Sequence, residues 1–409
     1  MISSRDREIL RELAKKQMEY ANEPENIQRA SEWMRHNQAI PGRPMIHLEL
    51  WTFGQEVIPK RLQCEGEEAR NIESALYSNF LNQELFQDDR VTPDYFPVYV
   101  CPQFTLFDVP IEVNMAQEGL GHQFVPIIED LESDYQKLKK STYSYDKAGT
   151  DAYFNQIGEL FGDILPPKKI MGGITSVPTQ MVVHFMGLEN MMYNMMDYPD
   201  LFKEMMNRIA DDTLEYFRFL EKEKILLPTT RNEGVCQASF CYTDELKSSG
   251  DLSVKDVWGF MDSQESSSIG PDMYEEFLYP CYKKISSQFG LLSYGCCEPV
   301  DPVWDKCVSK FENLRKVSIS PWCDEEFMGE RLRGSKVIYH RKPSPNFLGV
   351  SEHLDEEAVR QHIDFTLNAA KGCTLELTQR DVYTIHNNEQ KAIRYVELIK
   401  EEIEKHWQA

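Results

Sequence analysis

Leu291-Leu292-Ser293-Tyr294-Gly295-Cys296-Cys297-Glu298-Pro299 reads as a short buried strand that ends abruptly in two thiols and a carboxylate. Pro299 has no backbone N–H to give to a ladder, so the strand stops there and opens into a loop. An apolar strand that empties into soft and hard ligands marks a place where other strands should deliver further groups.

The pattern around this stretch repeats. Downstream, helical spacing over 303–311 leads to a strand at 316–320, a helix at 325–332 and a strand at 337–340. Asp355-Glu356-Glu357 then opens a helix with acid in its first turn, where the macrodipole favours it. Gly372 ends that helix, a strand follows at 373–377, and 389–406 is the last helix. Upstream, strands are expected at 44–51, 95–101, 169–174 and 257–262, with an extended stretch at 235–242. Helices are expected at 67–85, 151–161, 201–220 and 271–289, and a Met-rich one at 178–196.

Strands alternating with helices over the whole length imply a parallel sheet. With close to eight strands, the expected fold class is α/β, a (β/α)8 TIM barrel. Residues 1–43 form an N-terminal helical extension, residues 44–409 the barrel, and 103–149 an insertion near the barrel mouth. No GxGxxG or GxxxxGK[ST] follows any strand, so no dinucleotide or nucleoside triphosphate site is indicated.

Bulk properties narrow the function further. The 409 residues carry 44 Lys+Arg against 67 Asp+Glu, a net charge of -23. With no Lys/Arg cluster, nucleic acid is excluded as a partner. No apolar run is long enough to span a bilayer, so no membrane association is expected. Met1-Ile2-Ser3-Ser4-Arg5-Asp6 lacks the apolar core of a secretory signal, which gives a cytoplasmic expectation. The ten cysteines contain no CxxC and are not spaced as a disulfide framework, so most read as small buried hydrophobes.

In a barrel of this kind chemistry sits at the carboxyl ends of the strands. Cys296, Cys297 and Cys323 are the candidate metal ligands, suited to zinc with an open position. Adjacent residues of an extended chain point to opposite sides, so one of Cys296 and Cys297 is expected to face the mouth. Glu233, Glu265 and Tyr294 are the candidate proton donors. His47, Asn232, Gln264, His340, Glu376 and Arg380 are candidate substrate contacts, with Arg341 and Lys342 able to add positive charge for a carboxylate. The plainer readings are solvated loop carboxylates, structural histidines and packed thiols.

The pattern resembles the uroporphyrinogen decarboxylase superfamily of (β/α)8 barrels, over roughly residues 45 to 409. The resemblance rests on Gly172-Gly173 with the Met-rich helix through Gly187-Leu188-Glu189, on Met261-Asp262-Ser263-Gln264-Glu265, on Leu292 to Glu298, on Ser318-Ile319-Ser320-Pro321-Trp322, and on the last strand and helix. The decarboxylase branch carries arginines after its first strand. Here that stretch is Ile46-His47-Leu48-Glu49-Leu50-Trp51, which lacks the charge an eight-carboxylate substrate needs. The methyltransferase branch binds zinc through a His-x-Cys motif at the central strand and a Cys after the last strand. Tyr294 stands where that His would be, Cys296 matches the first Cys, and Glu376-Leu377-Thr378-Gln379-Arg380-Asp381 has no Cys.

The resemblance implies a methyltransferase that moves a methyl group from a small methylated compound, a methyl ether or methylamine, to the cobalt of a separate corrinoid protein, with metal assistance. A decarboxylase of a smaller carboxylic acid and a non-catalytic ligand-binding barrel are the alternatives. The oligomeric state is left open, a homodimer included.

Overall fold

Six short strands carry the architecture, and each is buried at every position: Met45–Leu48, Trp258–Met261, Leu291–Tyr294, Leu314–Ile319, Ile338–Arg341 and Leu375–Gln379. Burial on both faces is what a parallel sheet covered by helices requires. In the computed structural model, which describes residues 2–115 and 122–407, these strands and Ile174–Thr175 form one seven-stranded parallel sheet. The first strand pairs with the last, Met45 opposite Glu376 and Leu48 opposite Gln379. The fold is thus mixed α/β, a parallel sheet among many helices, consistent with a (β/α)8 barrel-like arrangement.

The strand expected at 169–174 is divided. Pro167–Ile170 pairs with Phe96–Tyr99, while Ile174–Thr175 pairs with Trp258–Met261. The break falls at Gly172-Gly173, where another piece of backbone comes close. A Cβ on Gly172 would lie 2.7 Å from the Gly234 carbonyl oxygen, and the Gly173 N–H donates to that oxygen at 2.9 Å. The outer edge of the first strand is satisfied by side chains. Ile46 N–H donates to Asp89 at 2.7 Å and Leu48 N–H to Asp88 at 2.8 Å, so these carboxylates stand in for a neighbouring strand.

The N-terminal extension forms helices Ser4–Ala21 and Pro24–Asn37, the first capped by the Ser3 hydroxyl, which accepts from Asp6 N–H at 3.0 Å. It closes the amino-terminal end of the strands. Trp33 is fully buried with its Nε1–H on the Asp89 carbonyl at 2.7 Å, and His36 reaches Glu376. The expected 103–149 insertion contains two antiparallel pairs, Gln103–Thr105 with Thr142–Ser144 and Val113–Met115 with His122–Phe124; its residues 116–121 lie outside the described residues. The helix expected at 271–289 contains a π turn, Tyr274–Leu278, which places the Tyr274 hydroxyl 2.6 Å from that of Tyr294. Among the described residues no helix is long and apolar enough to cross a membrane.

Candidate active site

Gly295 decides how the central strand ends. Its φ of +98° is left-handed, and a Cβ there would lie 3.1 Å from that of Ser318. This turn breaks the strict alternation expected of the strand. As a result the two thiols do not diverge: Cys296 Sγ and Cys297 Sγ are 3.5 Å apart. The hydrogen bond between the two thiols holds the Cys297 thiol below its usual range and pushes that of Cys296 up.

Glu298 folds back beneath them. Its two oxygens accept from Ser263 N–H and Cys296 N–H, each at 2.9 Å, so it ties two strand ends together. Burial raises its carboxyl, against the lowering effect of those bonds. Asp262 follows the strand Trp258–Met261, is 5% exposed, and its Oδ1 has no hydrogen-bond partner. Burial first, then the charge of Glu298, raises its carboxyl well above the usual range and favours the protonated form.

The opposite wall is cationic. Lys342 is buried, donates to the Cys296 carbonyl at 3.0 Å and also donates to Gln237 Oε1. The Arg380 guanidinium donates to the same Gln237 oxygen and lies 3.2 Å from Asp381 and 3.6 Å from Glu49. Gln237 therefore offers one oxygen to two cations, the place a substrate carboxylate oxygen would take.

Gln237 sits at the tip of a hairpin that fills the space within the sheet. The 235–242 stretch, expected as strand or extended chain, folds back on itself through a Gly234–Phe240 bridge. Cys236, Gln237 and Ala238 are all left-handed, with φ of +75°, +53° and +57°. Such conformations cost of order 1–3 kcal/mol each in non-glycine residues and persist only when the surroundings hold them. Here His47 Nδ1–H donates to the Ala238 carbonyl at 2.7 Å and Lys316 Nζ donates to the Ser239 hydroxyl at 2.5 Å. Deeper still, Lys316 pairs with Glu376 at 2.9 Å, and His36 and His340 flank the same carboxylate at 3.3 and 3.6 Å. Burial alone would raise the Glu376 carboxyl, but Lys316, His340 and His36 outweigh it and hold it well below the usual range. Burial lowers His340 to about 3, so its ring is neutral at physiological pH.

These positions sort the residues expected from sequence. Gln264, Glu265, Cys296, Cys297 and Arg380 come together at the strand ends. Gln264, Glu265 and Cys297, with Glu298 and Trp322, line a cavity of about 520 Å³, and Glu265 accepts from the Thr179 hydroxyl at 2.8 Å. His47, His340 and Glu376 lie deeper and support the hairpin and ion network. Glu233 and Asn232 lie at the far base of the hairpin. Glu233 accepts from Arg231 N–H at 2.7 Å and is 3.5 Å from Lys168, and Asn232 donates to the Val91 carbonyl at 2.9 Å. Tyr294 faces the helix layer, bonded to Tyr274 and packed on Tyr282 and Phe311, because strand alternation turns Ser293 inward instead. Asp262, Gln237 and Lys342 complete the cluster, and none of them is among the principal candidates from sequence. Asp262 and Lys342 stand directly after strands, which is the signal for them; Gln237 has none, since its place depends on a hairpin folding inward.

The zinc set does not assemble in this arrangement. Cys323 Sγ accepts from Val300 N–H at 3.3 Å and lies 3.8 Å from the Glu298 carbonyl oxygen. Both Glu298 oxygens are occupied by backbone donors. Among the described residues no three His, Cys, Asp or Glu side chains are disposed to hold a metal ion.

The site thus offers a buried carboxyl with a raised pKa, a thiol pair and a cationic corner at the carboxyl ends of a parallel sheet. No family model matches the chain, and no curated protein matches it. Among solved structures, a methyltransferase from Methanosarcina mazei is similar over 91% of this chain and 98% of its own, with a TM-score of 0.52 and 13% sequence identity. At that identity the likeness concerns the fold: this chain has the barrel-like α/β architecture of that protein.

Proposed function

We propose that the protein is a methyltransferase which takes a methyl group from a small methylated compound and passes it to a corrinoid held by a separate protein. In this reading Pro167–Ile170 and Ile174–Thr175 count as one strand of a closed (β/α)8 barrel, and the chain is a divergent member of the uroporphyrinogen decarboxylase superfamily. The observation that carries the proposal is Asp262, a buried carboxyl kept toward its protonated form with a free Oδ1 beside the thiol pair. Demethylation leaves charge on the departing heteroatom, and a positioned acid lowers the barrier by supplying a proton there.

The reaction balances with one proton from Asp262: the donor loses its methyl group and its heteroatom gains that proton. The reduced corrinoid supplies the nucleophile that accepts the methyl group. Glu298 holds the strand end in register, Lys342 and Arg380 orient a polar or anionic part of the donor, and Glu265 and Gln264 border its entry. No step is assigned to zinc. Exposed aromatic side chains directly after strand ends, Trp51 at 83%, Trp322 at 67% and Tyr383 at 72%, offer a partner protein an uncovered apolar rim. The likeness in fold to a methyltransferase supports the same reading.

A second reading has its own observation. Lys342 and Arg380 converge on one oxygen of Gln237, a geometry that would hold a carboxylate, as a decarboxylase of a small carboxylic acid requires. Incubating the protein with methyl donors and free reduced corrinoid, beside small carboxylic acids monitored for CO2 release, separates the two.

A further inference from the structure

Helix Glu67–Leu81 buries Ala69, Ile72, Leu76 and Phe80 and turns the polar stripe Arg70, Asn71, Ser74 and Ser78 the other way. Facing that stripe is the segment that follows the first strand. Between them lies a cavity of about 630 Å³ with an apolar side of Leu50, Trp51 and Ile58 and a polar side that includes Arg70, Ser74 and Arg90. Two arginines line it and no carboxylate does, in a chain with 67 Asp+Glu against 44 Lys+Arg.

The positive charge is not neutralised from within. Among the described residues Arg90 has no ion pair, and its Nε is buried without a hydrogen-bond partner. Of the acids next to it in sequence, Asp88 accepts the Arg90 backbone N–H at 3.0 Å, but neither Asp88 nor Asp89 pairs with the guanidinium. Asp88 accepts from Leu48 N–H and from the Asn82 amide at 2.8 Å, and Asp89 accepts from Ile46 N–H at 2.7 Å and pairs with Arg43. Arg70 makes one side-chain bond, to the Cys64 carbonyl at 3.2 Å. A partly buried guanidinium without an anion is unfavourable, and its planar fork matches a carboxylate. Trp51, 83% exposed at the rim, presents an aromatic surface for an apolar body.

We propose that this cavity is a binding site for a small organic carboxylate, its charged end on Arg90 and Arg70 and its apolar end against Leu50, Trp51 and Ile58. The cavity lies apart from Asp262 and the thiol pair, shares only Trp51 with the aromatic rim offered to the partner, and does not depend on the methyl-transfer reading.

The test is calorimetric titration of the full chain with benzoate, benzamide and inorganic phosphate. Benzoate binds saturably. Benzamide, with the same shape and no charge, binds at least about tenfold more weakly, because a charge-assisted bond contributes about 1.5–3 kcal/mol. Arg90→Gln and Ser74→Phe, which fills the cavity, each weaken benzoate by at least about tenfold, and Arg380→Gln at the strand ends leaves it unchanged. Arg70→Gln, at an exposed position, weakens it as well and keeps the test valid where Arg90→Gln does not fold. The proposal is overturned by absence of saturable benzoate binding, by equal affinity for benzamide, by loss in Arg380→Gln alone, or by phosphate replacing benzoate as the ligand that depends on Arg90.

Discussion

The Glu298 carboxylate accepts a hydrogen bond from the backbone N–H of Cys296 at 2.9 Å, folding the end of the central strand onto itself. Its other oxygen takes Ser263 N–H from the neighbouring strand end, so one side chain fixes the positions of both the thiols and the segment that carries Asp262. Glu298→Gln places an amide N–H₂ opposite one of these donors. A loss of about 1–3 kcal/mol in stability is expected from a buried donor left unpaired, measured by urea unfolding. A midpoint equal to that of the wild type would remove Glu298 from this role.

Lys316 and Glu376 form a fully buried ion pair. Removing one partner from such a pair leaves an uncompensated charge, so Lys316→Met is expected to destabilise by about 3–5 kcal/mol, and Lys316→Met/Glu376→Met to recover much of that loss. Equilibrium unfolding of the three proteins measures both effects. An additive double variant would mean that the two groups are not coupled.

Asp262 gives a pH signature. Its folded-state pKa is raised well above 3.8, so the stability it contributes is present below that value and is lost as pH rises through the folded pKa. Asp262→Asn is neutral throughout. Its stability relative to the wild type should therefore climb as pH goes from acid to neutral, read from thermal unfolding across that range. A flat difference would mean that Asp262 titrates normally.

Metal content is the direct check on the thiols. With Cys323 and Glu298 engaged elsewhere, elemental analysis should give the same zinc content for the wild type and for Cys296→Ser/Cys297→Ser. A loss of about one zinc per chain in the variant would mean that the donors rearrange around a metal.

The alternation of buried strands with amphipathic helices was readable because each strand is a short run rich in apolar residues and each helix carries a periodic face, although one face of the strands also carries polar residues such as His47, Lys316, His340 and Glu376. Much of the strand-end cluster was readable for a related reason: Cys296, Cys297, Gln264, Glu265 and Arg380 all stand just past a strand. Glu233 and Asn232 were misleading because 233–241 turns inward as a hairpin, leaving them at its base and sending Gln237 to the strand ends. That fold depends on long-range bonds from His47, Lys316, Lys342 and Arg380, which no local pattern encodes. Tyr294 was misplaced because residue type outweighed strand alternation. The facing thiols depend on the φ of Gly295, which an adjacent Cys-Cys pair does not reveal.

The most direct test of methyl transfer at this site is a spectrophotometric assay of free cob(I)alamin methylation with a panel of methyl ethers and methylamines, run on the wild type and on Asp262→Asn. The wild type should methylate the corrinoid from at least one donor, with Asp262→Asn slower by about 10²–10⁴-fold, the usual contribution of a positioned acid. Equal rates in the two proteins, or CO2 release from small acids with no methyl transfer from any donor, would contradict the account.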